Sequence, residues 1–475
     1  MSHQSRHVVV IGHGMVGARF VDEVARRDPA GERLRLTVVG AEPEGPYNRV
    51  LLPEVLSGRL GEADLALPET VLPGLALRTG TAATAVDTAA RTVALDDGST
   101  LHYDELVLAT GARAVVPPLP GAATAAGPAE GVVALRDLAD CRRLTALTRP
   151  GTPVVVLGGG VLGLEAARAL GRRGACVHLV ESAAWLMPRQ LDRRAARVLE
   201  GRYARLGVAV HSWTTAARWI PATGLELDDG RVLAGEVLVV AAGVRPRTEL
   251  AVGAGLQVDR GIVVDDSLTT SDPRVHAIGD CAQHAGGGGG LVQPGYEQAA
   301  VLADLLTGAA PQARYTGARP ATRLKVDGID LVSFGAPDAE DAETVTVDDA
   351  HGGRYAKLSV RDGRVVGAIL LGFPDSAATI GQLYDRGAAV PADPLALLVG
   401  GVAVGASAAE PGAVLVCRCN AVSRARLESA WLDGARSRRD IAAATRATTG
   451  CGGCVRDVDA LIAAWSSGRS APVGA

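Results

Sequence analysis

HVVVIGHGMVG, residues His7–Gly17, comes back as PVVVLGGGVLG at Pro153–Gly163. In each copy a short β-branched run breaks into glycines and then into a helical pattern, Ala18–Arg27 in the first and Leu164–Arg173 in the second. The spacings are Gly12-x-Gly14-x-x-Gly17 and Gly158-x-Gly160-x-x-Gly163. Glycines so placed permit a tight turn, close approach of the backbone to a pyrophosphate, and close packing of helix on strand. The helix N-terminus then offers unpaired N–H groups to phosphate oxygens. A purely structural glycine turn uses the same residue type, but a strand before and a helix after each copy point to two dinucleotide sites. Leu36–Val39, Leu106–Ala109, Val177–Val180 and Val237–Ala241 are continuously apolar and read as buried parallel strands. Strands alternating with helices predict an α/β chain with two Rossmann-like doubly wound domains.

A carboxylate at the end of the second strand of such a unit holds a ribose. Glu181, at the end of HLVE and 18 residues after Gly163, has that spacing. It repels a 2′-phosphate, and Ser182, Ala183 and Ala184 supply no basic clamp, so NADH is expected rather than NADPH. Arg189, a turn later, is the residue that could still reach a phosphate. In the first copy the strand ends Val39-Gly40-Ala41-Glu42, which makes Glu42 the ribose candidate, or else a solvated loop charge. Two dinucleotide sites on one chain suggest one permanent flavin and one exchangeable nicotinamide.

The chain has 475 residues, 48% apolar and 21% charged, which excludes a disordered or collagen-like polymer and suggests about three domains. Lys+Arg 48 against Asp+Glu 52 gives −4, so no overall basic field invites nucleic acid or anionic lipid. Of the basic residues only Lys325 and Lys357 are lysine. The apolar stretch Leu395–Ala409 is shorter than the ~20 residues needed to span a bilayer. With no leader-type core after Met1, a cytoplasmic location is expected.

From about Thr322 the texture changes. Leu324–Val332, Thr344–Val347, Arg354–Val360 and Val365–Leu370 read as strands, Asp362-Gly363 as a hairpin turn and Ser376–Arg386 as a helix, together a separate α+β unit. Residues 393–412, rich in Ala and Gly, read as a linker, with a packed Ala/Gly helix as the alternative. The end of the chain holds four of the seven cysteines: Cys417-x-Cys419, then 31 residues, then Cys451-x-x-Cys454. Helices over Ser423–Trp431 and Arg438–Thr445 could bring the pairs together, and Gly450, Gly452 and Gly453 leave N–H groups free to bond cluster sulfurs. Four-thiolate sites hold zinc as well as iron–sulfur clusters, so the spacing alone leaves both open. Cys141, Cys176 and Cys281 read as structural, and residues 38–60 contain no redox cysteine.

In sequence order, VIGHGMVGARF, PYNRVLLPE, GGGVLGLEAA, WLMPRQLD, AAGVRPRTEL, TSDPRVHAIGDCA and CRCN…TGCGGC resemble the two-dinucleotide-binding flavoprotein reductases. Within these they resemble the N-terminal portion of NADH-dependent assimilatory nitrite reductases and the electron-transfer subunits of assimilatory nitrate reductases. The resemblance covers about residues 7–465. It implies that Ala109-Thr110-Gly111-Ala112 is the turn returning the chain from the FAD domain and that Ala241-Ala242-Gly243 is its second copy. It implies further that Asp280, after Gly279, accepts hydrogen bonds from the ribityl chain, and that Arg49 stands near the FAD phosphates. Glu165 matches a glutamate that positions the nicotinamide, or is an acid placed for the helix dipole. VCRCN with TGCGGC resembles the bacterioferritin-associated ferredoxin-like [2Fe–2S] domain, which makes Cys417, Cys419, Cys451 and Cys454 cluster ligands. Ala41 departs from the acid often found there.

The expected organisation is therefore an FAD-binding domain (1–115 and 246–318), an NAD-binding domain (116–245), an α+β domain (319–392), a linker (393–412) and a small helical four-cysteine [2Fe–2S] domain (413–466). The expected activity is NADH oxidation through FAD and the cluster to a one-electron acceptor protein, by resemblance the catalytic subunit of assimilatory nitrate or nitrite reductase. No further cysteine set is available for a sirohaem centre, so six-electron nitrite reduction by this chain alone is not expected. Two rivals are a flavin- and cluster-dependent oxidase of an amino or imino compound, and a non-catalytic iron- or redox-sensing protein. The α+β domain is left with two roles, covering the flavin or forming a homodimer.

Overall fold

Val8, Val9 and Val10 have no exposed surface, and the reason is that their strand is central. In the computed structural model, which describes residues 5–125, 127–285, 290–319, 321–349, 351–399 and 414–467, Arg6–Ile11 lies between Glu105–Leu108 and Leu34–Gly40. Val275–Ala277 and Leu75–Thr79 lie outside these, and all four pairings are parallel. The second glycine segment builds the same order. Pro153–Leu157 lies between Val237–Val240 and Cys176–Val180, flanked by Val132–Ala134 and Val208–His211, again all parallel. Each sheet carries a small three-stranded antiparallel companion, Ala83–Asp87 with Thr92–Leu95 and Thr100–His102, and Ala216–Ile220 with Gly224–Leu227 and Val232–Ala234. The chain crosses between the two units at Ala112–Ala114 and Val244–Pro246, which pair antiparallel.

The third unit is a five-stranded antiparallel sheet in the order Ala321–Val326, Ile329–Gly335, Arg364–Leu371, Arg354–Arg361, Glu343–Asp349. The run Leu324–Val332, expected as one strand, is two, because Asp327 and Gly328 (φ +81) turn the chain back. Asp362 and Gly363 (φ +50 and +66) form a hairpin with both central residues left-handed. Helix Pro374–Arg386 covers this sheet through Ala377, Ile380 and Tyr384. The segment read as a linker or a packed helix opens with the helix, Pro394–Val399, because Leu397 (3% exposed) and Leu398 (0%) bury against the same core; residues 400–413 lie outside the described residues.

One buried core joins Val154, Val156 and Leu179 of the second sheet, Leu51, Leu52 and Leu56 of the segment between the first sheet's strands Leu34–Gly40 and Leu75–Thr79, and Leu324, Tyr355 and Ile369 of the third unit. Three parts of the chain thus wall a common space. The cysteine module lines it as well. The short ladder of Leu415–Cys417 with Val422–Ser423, and helices Arg424–Leu432, Arg438–Thr445 and Val455–Ser466, surround their own core of Val422, Leu427, Ile441, Val458 and Leu461. Among the described residues no helix is long and apolar enough to cross a membrane.

Candidate functional site

At both glycine turns the first and third glycines are demanded by the protein and the second is not. Gly12 and Gly158 share φ +116, and a Cβ on them would lie 2.1 Å from the Ala109 carbonyl oxygen and 2.4 Å from that of Ala241. A Cβ on Gly17 or Gly163 would lie 1.9 Å from the carbonyl oxygen of Gly12 or Gly158. Around Gly160 nothing stands within 4 Å of that position, and at Gly14 only Arg49 Nε, at 3.9 Å. The middle glycines therefore face open space, which is what a pyrophosphate needs. Helices Met15–Arg27 and Val161–Arg172 begin there, with no side-chain cap and no acid in the first turn, so their first N–H groups remain available to an anion.

A cleft of about 2680 Å³ runs from the first turn to the cysteines. Gly12, Gly14, Glu42, Arg49, Thr110, Gly111, Gly160, Glu165, Gly243, Gly279, Asp280, Lys325, Cys419, Cys451 and Cys454 all line it. Glu42 and Arg49 form an ion pair, and the Tyr47 hydroxyl donates to the other Glu42 oxygen at 2.6 Å. Glu42 is thus held by Arg49 and Tyr47, while Arg49 stands over the first turn. Thr110 Oγ1 donates to the Arg247 carbonyl at 2.8 Å, and Gly111 (φ +70) and Gly243 (φ +108) sit at the crossover between the two units. One Asp280 oxygen takes Arg136 Nη2 at 2.8 Å and the other the Gly290 amide at 2.9 Å. Gly279 donates its amide to Gln298 at 2.7 Å. Glu181 folds onto the second turn, accepting from the amides of Gly159 and Ala183, both at 2.7 Å.

Glu165 is 4% exposed, and Lys325 meets it with both its ammonium and its backbone amide at 2.9 Å. Burial pushes the Glu165 carboxyl upward against the pull of Lys325. A dipole-seeking acid would sit in the first turn; this one is paired across to the third unit. The sequence assigns no site role to Lys325, Arg136 or Asn48. The scarcity of lysine was the only signal for Lys325. For the other two there was none, since their partners lie on distant segments.

Cys417 and Cys419 Sγ are 3.7 Å apart. Two thiolates on one tetrahedral ion with bonds of ~2.3 Å stand about 3.8 Å apart, so this pair fits a single iron. The Cys451 amide donates to Cys419 Sγ at 3.4 Å, and Asn420 Nδ2 lies 3.6 and 3.7 Å from Cys417 and Cys419 Sγ. A Cβ on Gly450 would lie 2.4 Å from Cys419 Sγ. Cys417, Cys419 and Cys454 are buried; their thiols perturb one another, and Cys417 is drawn down to about 3, first by Cys419 and then by Cys454. Among the described residues no group of three or more His, Cys, Asp or Glu is placed to hold a metal ion. The donor set, its amide donors and the glycine cradle suit a dinuclear centre that takes its thiolates in pairs.

The module is fastened to the rest of the chain around that loop. Asn48 Nδ2 donates to the Gly450 carbonyl at 2.9 Å and the Tyr296 hydroxyl to that of Thr449 at 3.2 Å. Arg446 pairs with Asp22 and reaches the Pro68 carbonyl at 2.9 Å. Cys141 and Cys281 are buried packing residues. Burial pushes the Cys141 thiol up to about 11, while Cys281 Sγ lies 3.3 Å from the carbonyls of Leu108 and Ile278. Cys176, expected to be structural, is instead exposed at the first position of its strand.

Residues 6–302 match the model of the pyridine nucleotide-disulphide oxidoreductases. The chain belongs to that family. Residues 320–387 match the rubredoxin NAD+ reductase C-terminal domain and residues 415–464 the BFD-like [2Fe–2S] binding domain. The chain is similar to a Bacillus subtilis nitrite reductase [NAD(P)H], with 33% identity over 96% of this chain and 57% of that protein. It is similar also to an assimilatory nitrate reductase electron transfer subunit of the same organism, with 32% identity over 97% of this chain and 60% of that one. It therefore spans somewhat under two thirds of these relatives. Among solved structures, the putidaredoxin reductase–putidaredoxin covalent complex superposes with a TM-score of 0.73 and 26% identity, covering 83% of this chain and 96% of that one. Membership makes the chain an NAD(P)H-dependent flavin oxidoreductase using FAD, with a [2Fe–2S] module appended. The expected fold, cofactor classes and resemblance to nitrite and nitrate reductase components are borne out.

Proposed function

We propose that the chain oxidises NADH in the cytoplasm and passes single electrons to a protein acceptor, the catalytic subunit of an assimilatory nitrate or nitrite reductase. The observation that carries this reading is the shared cleft: the cysteine loop and both glycine turns open into one space. Bound FAD supplies the conversion of a hydride into single electrons, and a [2Fe–2S] centre carries them onward. The chain's own residues bind and orient. Gly14 and the helix behind it receive the FAD pyrophosphate, with Arg49 beside it once Glu42 shares that charge with the ribose. Asp280, steadied by Arg136, accepts from the ribityl hydroxyls, and Thr110, Gly111 and Gly279 shape the wall around them. Gly160 receives the NADH pyrophosphate, Glu181 the adenosine ribose, and Glu165 faces the nicotinamide. Cys417, Cys419, Cys451 and Cys454 hold the iron.

This reading divides the chain into FAD-binding (1–115 and 246–318) and NAD-binding (116–245) portions. Glu181 favours NADH because its carboxylate repels a 2′-phosphate. An anaerobic NADH titration followed by optical and EPR spectra tests the whole sequence. Flavin bleaching followed by an unpaired spin at the cysteine centre is expected, with kcat/KM for NADPH at least about tenfold lower. Bleaching by an amino or imino compound and none by NADH would overturn it.

A further inference from the structure

Lysine is almost absent from this chain, and Lys325 is one of two. It lies on the strand Ala321–Val326, which brings it to the cleft between two other parts of the molecule. On one side its ammonium holds Glu165 of the second glycine helix at 2.9 Å, with side-chain exposures of 17% and 4%. Glu165 also feels the like charge of Glu54. The Tyr203 hydroxyl, buried and without a hydrogen-bond partner, lies in its field. On the other side the lysine stem runs along the cysteine loop, so close that a Cβ on Gly452 would stand 3.4 Å from Lys325 Cδ. One cation is thus shared by a buried carboxylate on the nicotinamide side and by the thiolate loop.

Adding an electron to a cysteine-bound iron centre makes it more negative by one charge, with a ferric ion becoming ferrous and no bond made or broken. In a partly desolvated cleft a fixed cation favours that state, and a carboxylate beside the cation offsets part of the effect. A compact point charge on a flexible stem can serve both neighbours, where a planar guanidinium would favour a fixed fork.

We propose that Lys325 is a positioning residue that raises the reduction potential of the cysteine-bound centre, and that Glu165 sets how much of its charge the centre feels. This rests on the reading of Cys417, Cys419, Cys451 and Cys454 as [2Fe–2S] ligands and of Glu165 as facing the nicotinamide. The test is a potentiometric titration of the full chain with dithionite, read by EPR, with iron and sulfide counted per chain. Dithionite supplies the electron, so the result does not depend on NADH. Lys325→Met should lower the ratio of reduced to oxidised centre about tenfold at a given potential, a fall of ~59 mV for a one-electron couple. Lys325→Arg, which keeps the charge, should fall less. Glu165→Gln should shift the midpoint the opposite way, upward, a reversal that loss of packing alone would not produce. Unchanged midpoints, or shifts of the same sign in Lys325→Met and Glu165→Gln, would overturn the proposal. If Lys325→Met fails to retain iron, the direction of the Glu165→Gln shift decides alone. NADH failing to bleach the flavin while the midpoints move as expected would sink the functional reading and leave this one standing.

Discussion

Gly450 has room for a hydrogen and nothing more. A methyl group there would press on Cys419 Sγ at 2.4 Å and on Tyr296 Cε2 at 3.3 Å. The backbone is not left-handed at this position, so Gly450→Ala tests space rather than strain. The variant should purify with its flavin intact but with most of its iron and acid-labile sulfide gone, measured by metal and sulfide analysis per chain; retention of a full centre would remove the cradle from the account. The cysteines were legible as a set because spacing survives in the sequence. Their surroundings were not, because Tyr296 and Asn48 reach the loop from segments 153 and 402 residues away. Nothing local to Lys325 announces Glu165, 160 residues earlier; only the rarity of its type set it apart.

At the level of elements, the two glycine turns are one design used twice, and two glycines inside helices separate packing from propensity. Gly17 sits in Met15–Arg27, where a Cβ would meet the Gly12 carbonyl oxygen at 1.9 Å, so Gly17→Ala must open the turn. It should lower bound flavin severely, read as the absorbance ratio of flavin to protein. Gly201 sits in Arg193–Arg205 with nothing within 4 Å, so Gly201→Ala should stabilise that helix by ~1 kcal/mol without touching either site, read by denaturant unfolding. The strand–turn–helix order was readable because continuous apolar runs mark buried parallel strands. Reading failed where a run was interrupted by a turn: Leu324–Val332 reads as one strand, yet Asp327-Gly328, the same dipeptide signal that is read at Asp362-Gly363, folds it into a hairpin. At Pro394–Val399 the alternative to a linker, a packed helix, is what the chain forms, because two leucines in an Ala- and Gly-rich stretch bury against the third unit.

Over the whole molecule, Asp327 ties four regions together. It meets Arg59 from the segment between the first sheet's strands Leu34–Gly40 and Leu75–Thr79, Arg172 at 3.2 Å from the second glycine helix, and Arg456 at 3.1 Å from the cysteine module, while itself belonging to the third unit. Asp327→Asn leaves three guanidiniums facing one another. It should cost roughly 1–3 kcal/mol and make added salt less destabilising in thermal unfolding, because salt weakens the attraction that is lost and screens the repulsion that is left. A melting curve as salt-sensitive as that of the unaltered chain would show that the carboxylate does not bind the regions together. Such a knot could not be read from the sequence, since each partner is an ordinary surface charge until the regions meet. The fastening of the cysteine module against the cleft has a kinetic corollary. A reductase and a separate ferredoxin must find each other by diffusion, so their exchange slows on dilution. Here both parts belong to one chain, so reduction of a centre held by the cysteine loop, from a flavin on the same chain, should proceed at the same pace however sparse the protein is.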